Sequence, residues 1–368
     1  METGLYLHIP FCKQKCNYCD FASFAGREFL MQDYVRALLQ EAAQSPTKNF
    51  QTLYIGGGTP SLLPLALLEE LIGGLEKFFG PLKALEESTF EANPESLTRE
   101  KLDFLKSAGV NRLSIGLQSF HDSELKTLGR VHTQADFLRA FETARAAGFQ
   151  NINVDLIAGL PAQTLESFLA SLSAVLALKP EHLSVYGLQI EEGTPFFERG
   201  IVCDQLLMRR MLEETHVRLT DAGFHHYEIS NFARPGFEAK HNTHYWQYGA
   251  YIGLGSAAAS FWGGERRQNT PDVAEYIARI NAGQSPVVFR ETLQEQAREG
   301  EKLLLALRQL DGTEPTEKQL SYFPKEIEKH LQSGLLVQDG KKVKLSNEGL
   351  YLANEVFCSF VAPFEGDE

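Results

Sequence analysis

The amino-acid sequence predicts an α/β fold: an incomplete (β/α)6 TIM-like barrel followed by a small mixed, winged-helix-like C-terminal domain. Three observations lead there. β-prone runs alternate with amphipathic stretches up to about residue 190, the pattern of a parallel sheet with crossover helices. A polar or reactive residue stands at or near the end of each run, as at the mouth of a barrel, whereas a doubly wound sheet would gather such residues at one switch point. Beyond Thr292 the alternation gives way to helix, hairpin and helix.

The predicted strands are Gly4–Ile9, Thr52–Ile55, Ser88–Glu91, Arg112–Gly116, Asn151–Ile157 and Leu183–Gln189. Between them, Asp33–Ala43, Leu65–Phe79, Thr98–Ala108, Gln134–Ala147 and Leu165–Leu178 carry apolar residues at three- and four-residue intervals, the helix period. Thr98 reads as the cap that starts one of these helices and Gly109 as its stop. Three cysteines follow the first strand, Gly56–Pro60 the second, Glu91 and Asn93 mark the third and Gln118 the fourth. Asp155 lies within the fifth and Gln189 ends the sixth.

The rhythm fades after residue 230, and from Tyr227 to Gly264 the chain is rich in aromatic residues and glycine without a helical period. Farther on, Leu293–Leu310 and Lys325–Ser333 read as helices. Asp339-Gly340 between short β-prone runs reads as a hairpin, and Asn347–Phe357 as a last helix. The chain therefore divides at 1–230 (barrel), 231–290 (connecting region) and 291–368 (C-terminal module). Helix, hairpin and helix suit a DNA-binding winged module. Five lysines against four acidic residues between Phe323 and Leu350 give no basic face, so a structural cap on the barrel is the expected role.

Composition narrows the function. At 43% hydrophobic and 23% charged residues the chain has the balance of a globular protein. A formal net charge of −13 argues against a nucleic-acid partner, an RNA-modifying enzyme included. Five cysteines, three of them within eight residues, do not make a disulfide framework and suit a reducing cytoplasm. No secretory signal or membrane-spanning run is visible, which leaves only peripheral contact with the inner face of a membrane open.

Cys12, Cys16 and Cys19 are separated by three residues and then two. Three thiolates on one loop can grip three irons of a [4Fe–4S] cubane and leave the fourth iron open. A structural zinc site wants four protein ligands, which His8 would have to complete. A thioredoxin-like motif has no third thiol. The open iron can be chelated by a small molecule with an amine and a carboxylate. S-adenosylmethionine is such a molecule, and an electron delivered to its sulfonium breaks a carbon–sulfur bond.

This spacing after a first strand resembles the radical SAM superfamily, over roughly residues 1–230. Leu5-Tyr-Leu-His-Ile-Pro-Phe-Cys12 and Gly56-Gly-Gly-Thr-Pro-Ser61 resemble its coproporphyrinogen III dehydrogenase (HemN-type) branch. So do Phe90–Pro94, Ser114–Phe120, Leu128–His132 and Asn153–Pro161. The resemblance implies that Gly57, Gly58 and Thr59 hold the amino end of S-adenosylmethionine. Glycine lets backbone approach a ligand closely, and the segment lacks the lysine of a P-loop; a plain turn is the bland alternative. Glu91, Gln118, Arg130 and Asp155 fall where the family contacts the same cofactor. Carboxylates there suit ribose hydroxyls or the ammonium, and Arg130 suits the methionyl carboxylate. Taken singly, each would pass for a surface salt-bridge partner. Tyr6 and Tyr18 match contact positions flanking the cluster, although core packing also accounts for Tyr6.

Two departures from the dehydrogenase stand out. Cys12 lies eleven residues from the start, so an N-terminal extension that helps close over the porphyrinogen is expected to be missing. The dehydrogenase has a further cysteine two positions after its third cluster cysteine, and that place is Phe21 here. Both resemble the HemW family of haem chaperones, as does His241-Asn-Thr-His-Tyr-Trp246, followed by Gly253-Leu-Gly-Ser256. A neutral imidazole can ligate haem iron, and Tyr245, Trp246 and Tyr248 offer flat faces to a macrocycle. His241 is the expected axial ligand, with His244 second; the alternative is a hydrogen-bonded histidine in a core turn. His225 and His226, being adjacent, point apart and make no metal pair. The resemblance thus implies a cluster, S-adenosylmethionine and haem as cofactors. Its partners would be a haem donor protein and apo-haemoproteins such as respiratory oxidases. The alternatives are an oxygen-independent coproporphyrinogen III oxidase, working on propionate side chains through a 5′-deoxyadenosyl radical, and a radical enzyme acting on another small metabolite.

Overall fold

The computed structural model describes residues 2–364; Met1 and residues 365–368, the outer ends of the division above, lie outside them. Six parallel strands form the barrel wall: β1 (Thr3–Ile9), β2 (Thr52–Gly57), β3 (Glu87–Ala92), β4 (Arg112–Gln118), β5 (Ile152–Ala158) and β6 (His182–Gly187). They stand side by side in chain order, as the alternating pattern predicts. The sixth ends at Gly187, two residues before the predicted Gln189. Crossover helices α1 (Met31–Ala43), α2 (Leu65–Phe79), α3 (Arg99–Ala108), α4 (Gln134–Ala146) and α5 (Leu165–Ala177) return the chain between strands. Thr98 caps α3 by accepting from the Lys101 N–H, and Gly109 ends it at φ 109°, a left-handed turn that suits glycine.

The two-residue period of each strand sorts its side chains. In β4, Leu113, Ile115 and Leu117 join the apolar core under the helices, while Arg112, Ser114, Gly116 and Gln118 face the barrel interior. In β5, Val154 and Leu156 pack outward while Asn153, Asp155 and Ile157 face inward. One face of the sheet is therefore oil and the other a polar chamber.

The sheet does not close. It has twelve strands among the described residues, and the additional ones come from 225–291, where the sequence predicts none. On the β6 side stand β7 (His225–Glu228) and β8 (Asn231–Ala233). On the β1 side β9 (Ala250–Leu254) pairs in parallel, followed by antiparallel β10 (Ala259–Trp262), β11 (Glu265–Asn269) and β12 (Val287–Glu291). Some of these strands are short or polar, β8 having three residues and β11 reading Glu-Arg-Arg-Gln-Asn, whereas β9 and β12 carry β-formers without an alternating pattern. Cross-strand ion pairs stand in for apolar alternation: Arg290 meets Glu265 at 2.6 Å and Arg266 meets Glu291 at 3.0 Å. Several helices also go unassigned in the sequence reading. Among them are α6 (Gln205–Asp221) and α7 (Lys240–Trp246), the latter with only seven residues, too few for a period to emerge.

After α8 (Val273–Asn281) and α9 (Glu295–Leu307), the C-terminal module packs around its own core of Leu303, Leu307, Phe323, Val356 and Phe360. Its helix (Pro324–Gln332) and hairpin (Leu336–Asp339 with Lys342–Leu345) match expectation. The predicted last helix is two, Asn347–Tyr351 and Ala353–Cys358, broken at Leu352. The module meets the barrel through Arg209 of α6, whose guanidinium grips Glu348 in a bidentate pair at 2.8 and 2.6 Å. Among the described residues, no helix is long and apolar enough to cross a membrane.

Candidate functional site

Cys12 closes a two-residue strand, Phe11–Cys12, paired with Phe24–Ala25. The loop between them is pinned to the segment after β4. Asn17 donates its backbone N–H to Leu128 O and its side-chain amide to Thr127 O, both at 2.9 Å, and Gln14 donates to Gly129 O at 3.1 Å. All three thiols are free. Thr59 donates to Cys12 Sγ at 3.5 Å and Arg130 Nη1 to Cys16 Sγ at 3.7 Å. Burial pushes the Cys19 thiol up. His8 does not complete a zinc site: its Nε2 donates to Ala22 O at 2.8 Å, which leaves Nδ1 to accept from Tyr6 Oη at 2.9 Å. The glycine turn after β2 lies against this loop, with Gly58 N–H on Ile9 O and Thr59 N–H on Phe11 O, each at 2.8 Å. A Cβ on Gly58 would stand 2.8 Å from Phe11 O and 3.1 Å from Cys12 Sγ, so no larger residue fits.

These elements wall a cavity of about 1150 Å³ at the barrel mouth. It brings together the three cysteines, Tyr18, Gly57, Gly58, Thr59, Glu91, Gln118, Arg130 and Asp155. Arg130 is held by Asn93 Oδ1 at 2.7 Å and Gly116 O at 2.9 Å. Burial opposes its charge, yet Tyr18, Cys16 and Glu95 keep its pKa above the ordinary guanidinium value. Gln118 sits at a bulge with φ 71°, an uncommon conformation for a side-chain-bearing residue. Asp155 accepts from Asn153 at 2.7 Å, and burial raises its pKa. Glu91 accepts from Tyr54 Oη at 2.5 Å and from the Gly57 N–H at 3.1 Å.

Burial, aided by Asp155, lifts Glu91 from 4.5 to about 7 against those hydrogen bonds. A carboxyl raised in the folded state holds its proton longer there than in the unfolded chain. Its contribution is therefore complete below pH 4.5 and is lost as pH rises through about 7. Glu91→Gln is expected to flatten the fall in stability across that window, read as denaturation midpoints at several pH values; an unchanged slope would refute the assignment.

Tyr6 and His241 line a second cavity, of about 780 Å³, which adjoins the first. Tyr6, whose hydroxyl meets His8, shares this cavity with Asp20, Phe21 and Ala22 of the cysteine loop. Around it stand Tyr54, Tyr245, Trp246, Tyr248, Tyr251 and Phe261. Tyr54, Glu91, Gly57, Asn242, Asp20 and the exposed Phe21 border both cavities. The Tyr54 ring lies 5.4 Å from that of His241, so a single side chain touches the Glu91 carboxylate on one side and the histidine on the other.

His241 is only 1% exposed. Its Nδ1 bonds to Thr52 Oγ1 at 2.8 Å and its Nε2 to Tyr245 Oη at 2.6 Å. Burial, then His244 and Arg112, pull its pKa to about 3, so the ring is neutral. This is the geometry of the hydrogen-bonded core histidine, and metal ligation through Nε2 requires the Tyr245 hydroxyl to leave. His244 borders neither cavity and donates from Nε2 to Ala250 O at 2.7 Å. His225 and His226 do point apart, toward Glu238 and His216.

Tyr54, Arg112 and Arg308 reach these cavities without having been named as site residues. A signal existed for the first two. Each is a polar residue at the inward phase of a strand whose alternate positions are apolar.

The comparisons with known proteins agree with this geometry. Residues 6–175 match the Radical SAM superfamily. Heme chaperone HemW of Bacillus subtilis (strain 168) is 38% identical over 97% of this chain and 98% of its own. This chain belongs to the HemW family. HemW of Escherichia coli (strain K12) is 42% identical over 69% of each chain. The fold is that of a solved relative of the HemW family, coproporphyrinogen III oxidase (HemN) from Escherichia coli, described as a radical SAM enzyme. The TM-score is 0.86 at 25% identity, covering 98% of this chain and 90% of that one.

Proposed function

We propose that the chain is a haem chaperone of the radical SAM type. It carries a [4Fe–4S] cluster on Cys12, Cys16 and Cys19, binds S-adenosylmethionine in the first cavity and holds haem against the segment from His241 to Trp246. The haem goes to apo-haemoproteins such as respiratory oxidases, from a haem donor protein, in the cytoplasm or at the inner face of its membrane. The observation that carries this reading is the juxtaposition itself: a three-thiol chamber and an aromatic chamber around a neutral histidine share the wall of Tyr54 and Glu91.

The donor set fits a cluster. Three free thiols share one pinned loop, Thr59 and Arg130 direct donors at two of them, and His8 has no nitrogen to spare. When bound, the cluster supplies an open iron that an amine and carboxylate can chelate, and one-electron chemistry. Gly57 and Gly58 let backbone approach the methionyl end. Arg130 offers it a guanidinium, and Glu91 and Asp155 offer carboxylates to ribose hydroxyls or the ammonium. Phe21, 63% exposed at the joint mouth, presents an apolar ring where the dehydrogenase has a further cysteine. The similarity to HemN favours a second reading, oxidative decarboxylation of coproporphyrinogen III. Release of carbon dioxide from that substrate by the reconstituted protein would select it.

The deciding test is an anaerobic haem titration of cluster-reconstituted protein followed at the Soret band. Saturable binding by wild type, weakened and spectrally shifted in His241→Ala, is expected. Unchanged spectra in the variant would move the ligand to His244, and absence of saturable binding would overturn the chaperone reading. Tyr245→Phe keeps the ring and removes the hydroxyl that occupies Nε2. It should raise haem affinity about two- to tenfold, the worth of one hydrogen bond.

A further inference from the structure

Arg308, just past α9, lines the first cavity, as do Tyr351 and Leu352 of the C-terminal module. Its guanidinium stacks over the Trp246 ring, 4.3 Å from the centroid, and so lies behind the last residue of α7. Among the described residues its only ion-pair partner is Glu228, at 3.8 Å, too long for a hydrogen bond. Arg308 Nε and Glu228 Oε2 are both buried without a hydrogen-bond partner. Burial depresses the Arg308 pKa, the mark of a cation short of counter-charge.

The other guanidiniums on this wall are better matched. Arg209 is satisfied by Glu348 and Glu213, and Arg130 by Asn93, Gly116 and Cys16. Arg112 Nε is likewise buried without a hydrogen-bond partner, but its charge lies in the fields of Glu87 and Asp155, which hold its pKa above the ordinary guanidinium value. Arg308 lacks that compensation, with its one anion 3.8 Å away, and its fork matches a carboxylate in two parallel bonds. Asn242, which borders both cavities, marks the route between the aromatic chamber and this cation.

We infer that Arg308 is the receptor for a carboxylate of the bound tetrapyrrole: with the ring against α7, a propionate side chain reaches the first cavity past Asn242 and docks on the Nε edge of the guanidinium. Glu228 stays on the other edge. The inference rests on the haem reading above and adds what selects the ligand, a flat ring bearing acid side chains.

The test compares haem with its dimethyl ester, in which both propionates are capped, by anaerobic Soret titration of the cluster-reconstituted full chain. Wild type should prefer haem about tenfold or more, as a charge-assisted pair allows. Arg308→Gln should bring haem affinity down to that of the ester while leaving ester binding and cluster absorbance unchanged, and Arg308→Lys should recover part of the preference. Equal wild-type affinity for haem and ester overturns the inference while the haem reading stands, and needs no variant. Parallel loss of both ligands in Arg308→Gln overturns it too, since Arg308 would then only support Trp246. Weakened S-adenosylmethionine binding with haem unaffected assigns the carboxylate to that molecule instead. No saturable binding of either tetrapyrrole overturns the haem reading along with the inference.

Discussion

Serine at Cys12, Cys16 or Cys19, introduced one at a time, is expected to cut the cluster's visible absorbance and bound iron by about tenfold or more, because an alkoxide is a poor substitute for thiolate on iron. The three thiols share a loop tied at Gln14 and Asn17 to residues 127–129, so the backbone cannot shift to bring another ligand forward. Cys203→Ser and Cys358→Ser serve as controls. Cys203 packs in a satellite apolar cluster with its Sγ 3.6 Å from Leu188 O, and Cys358 is exposed on the last helix. Both should keep full absorbance. His8→Gln should keep it as well, since both His8 nitrogens already have protein partners. Equal loss from all five cysteine changes, or loss from His8→Gln with a colourless zinc-bearing wild type, would overturn the cluster assignment.

The first cavity was legible in the sequence to the extent that it is built from strand ends. Glu91, Gln118, Asp155 and the glycine turn stand in or just after strands of the repeated strand–loop–helix unit, so spacing along the chain maps onto position around the mouth, whereas α6, Arg308 and residues 350–355 enter from outside that repeat. Arg130 is legible only through the family resemblance, and the structure gathers it with the others. The second cavity is built differently. Its walls come from β1, β2, α7, β9, β10, β11 and α9, segments separated by most of the chain. Each segment contributes only a few residues, such as Tyr6 and His8 of β1 or Glu301 and Leu305 of α9, too short a run for the period to be read. His241 was visible only through a resemblance, and its engagement by Thr52 and Tyr245 was not visible at all, because the Thr52 partner lies 189 residues away. Arg308 was hidden for a related reason. It reads as one more charge at the end of an amphipathic helix, and only the fold buries it behind Trp246.

Glu87→Ala is expected to cost about 3–5 kcal/mol of stability, the usual consequence of removing one member of a buried charged set. Glu87 is 3% exposed at the start of β3. Its Oε2 accepts the Lys240 N–H at 2.9 Å, and its Oε1 accepts the His241 N–H at 3.1 Å and the Thr89 hydroxyl at 3.2 Å. The first N–H groups of a helix have no partner within it, and α7 has no side-chain cap of its own. A barrel strand thus supplies the cap for the helix that carries His241. The same carboxylate offsets the charge of Arg112, which is 2% exposed on the adjacent strand. Alanine leaves the two N–H groups and the guanidinium short of partners together. Glu87→Gln should cost less, because the amide oxygen still accepts one N–H, but it gives up the charge. Denaturant midpoints on samples matched for cluster content measure the loss, and a cost below about 1 kcal/mol for the alanine change would show that water replaces the cap. Haem titration of the same variants separates two roles for Glu87. If it positions His241, haem affinity falls in both variants, and more in alanine than in glutamine, under conditions where each is fully folded. If it only stabilises the barrel floor, the folded variants bind haem as wild type does.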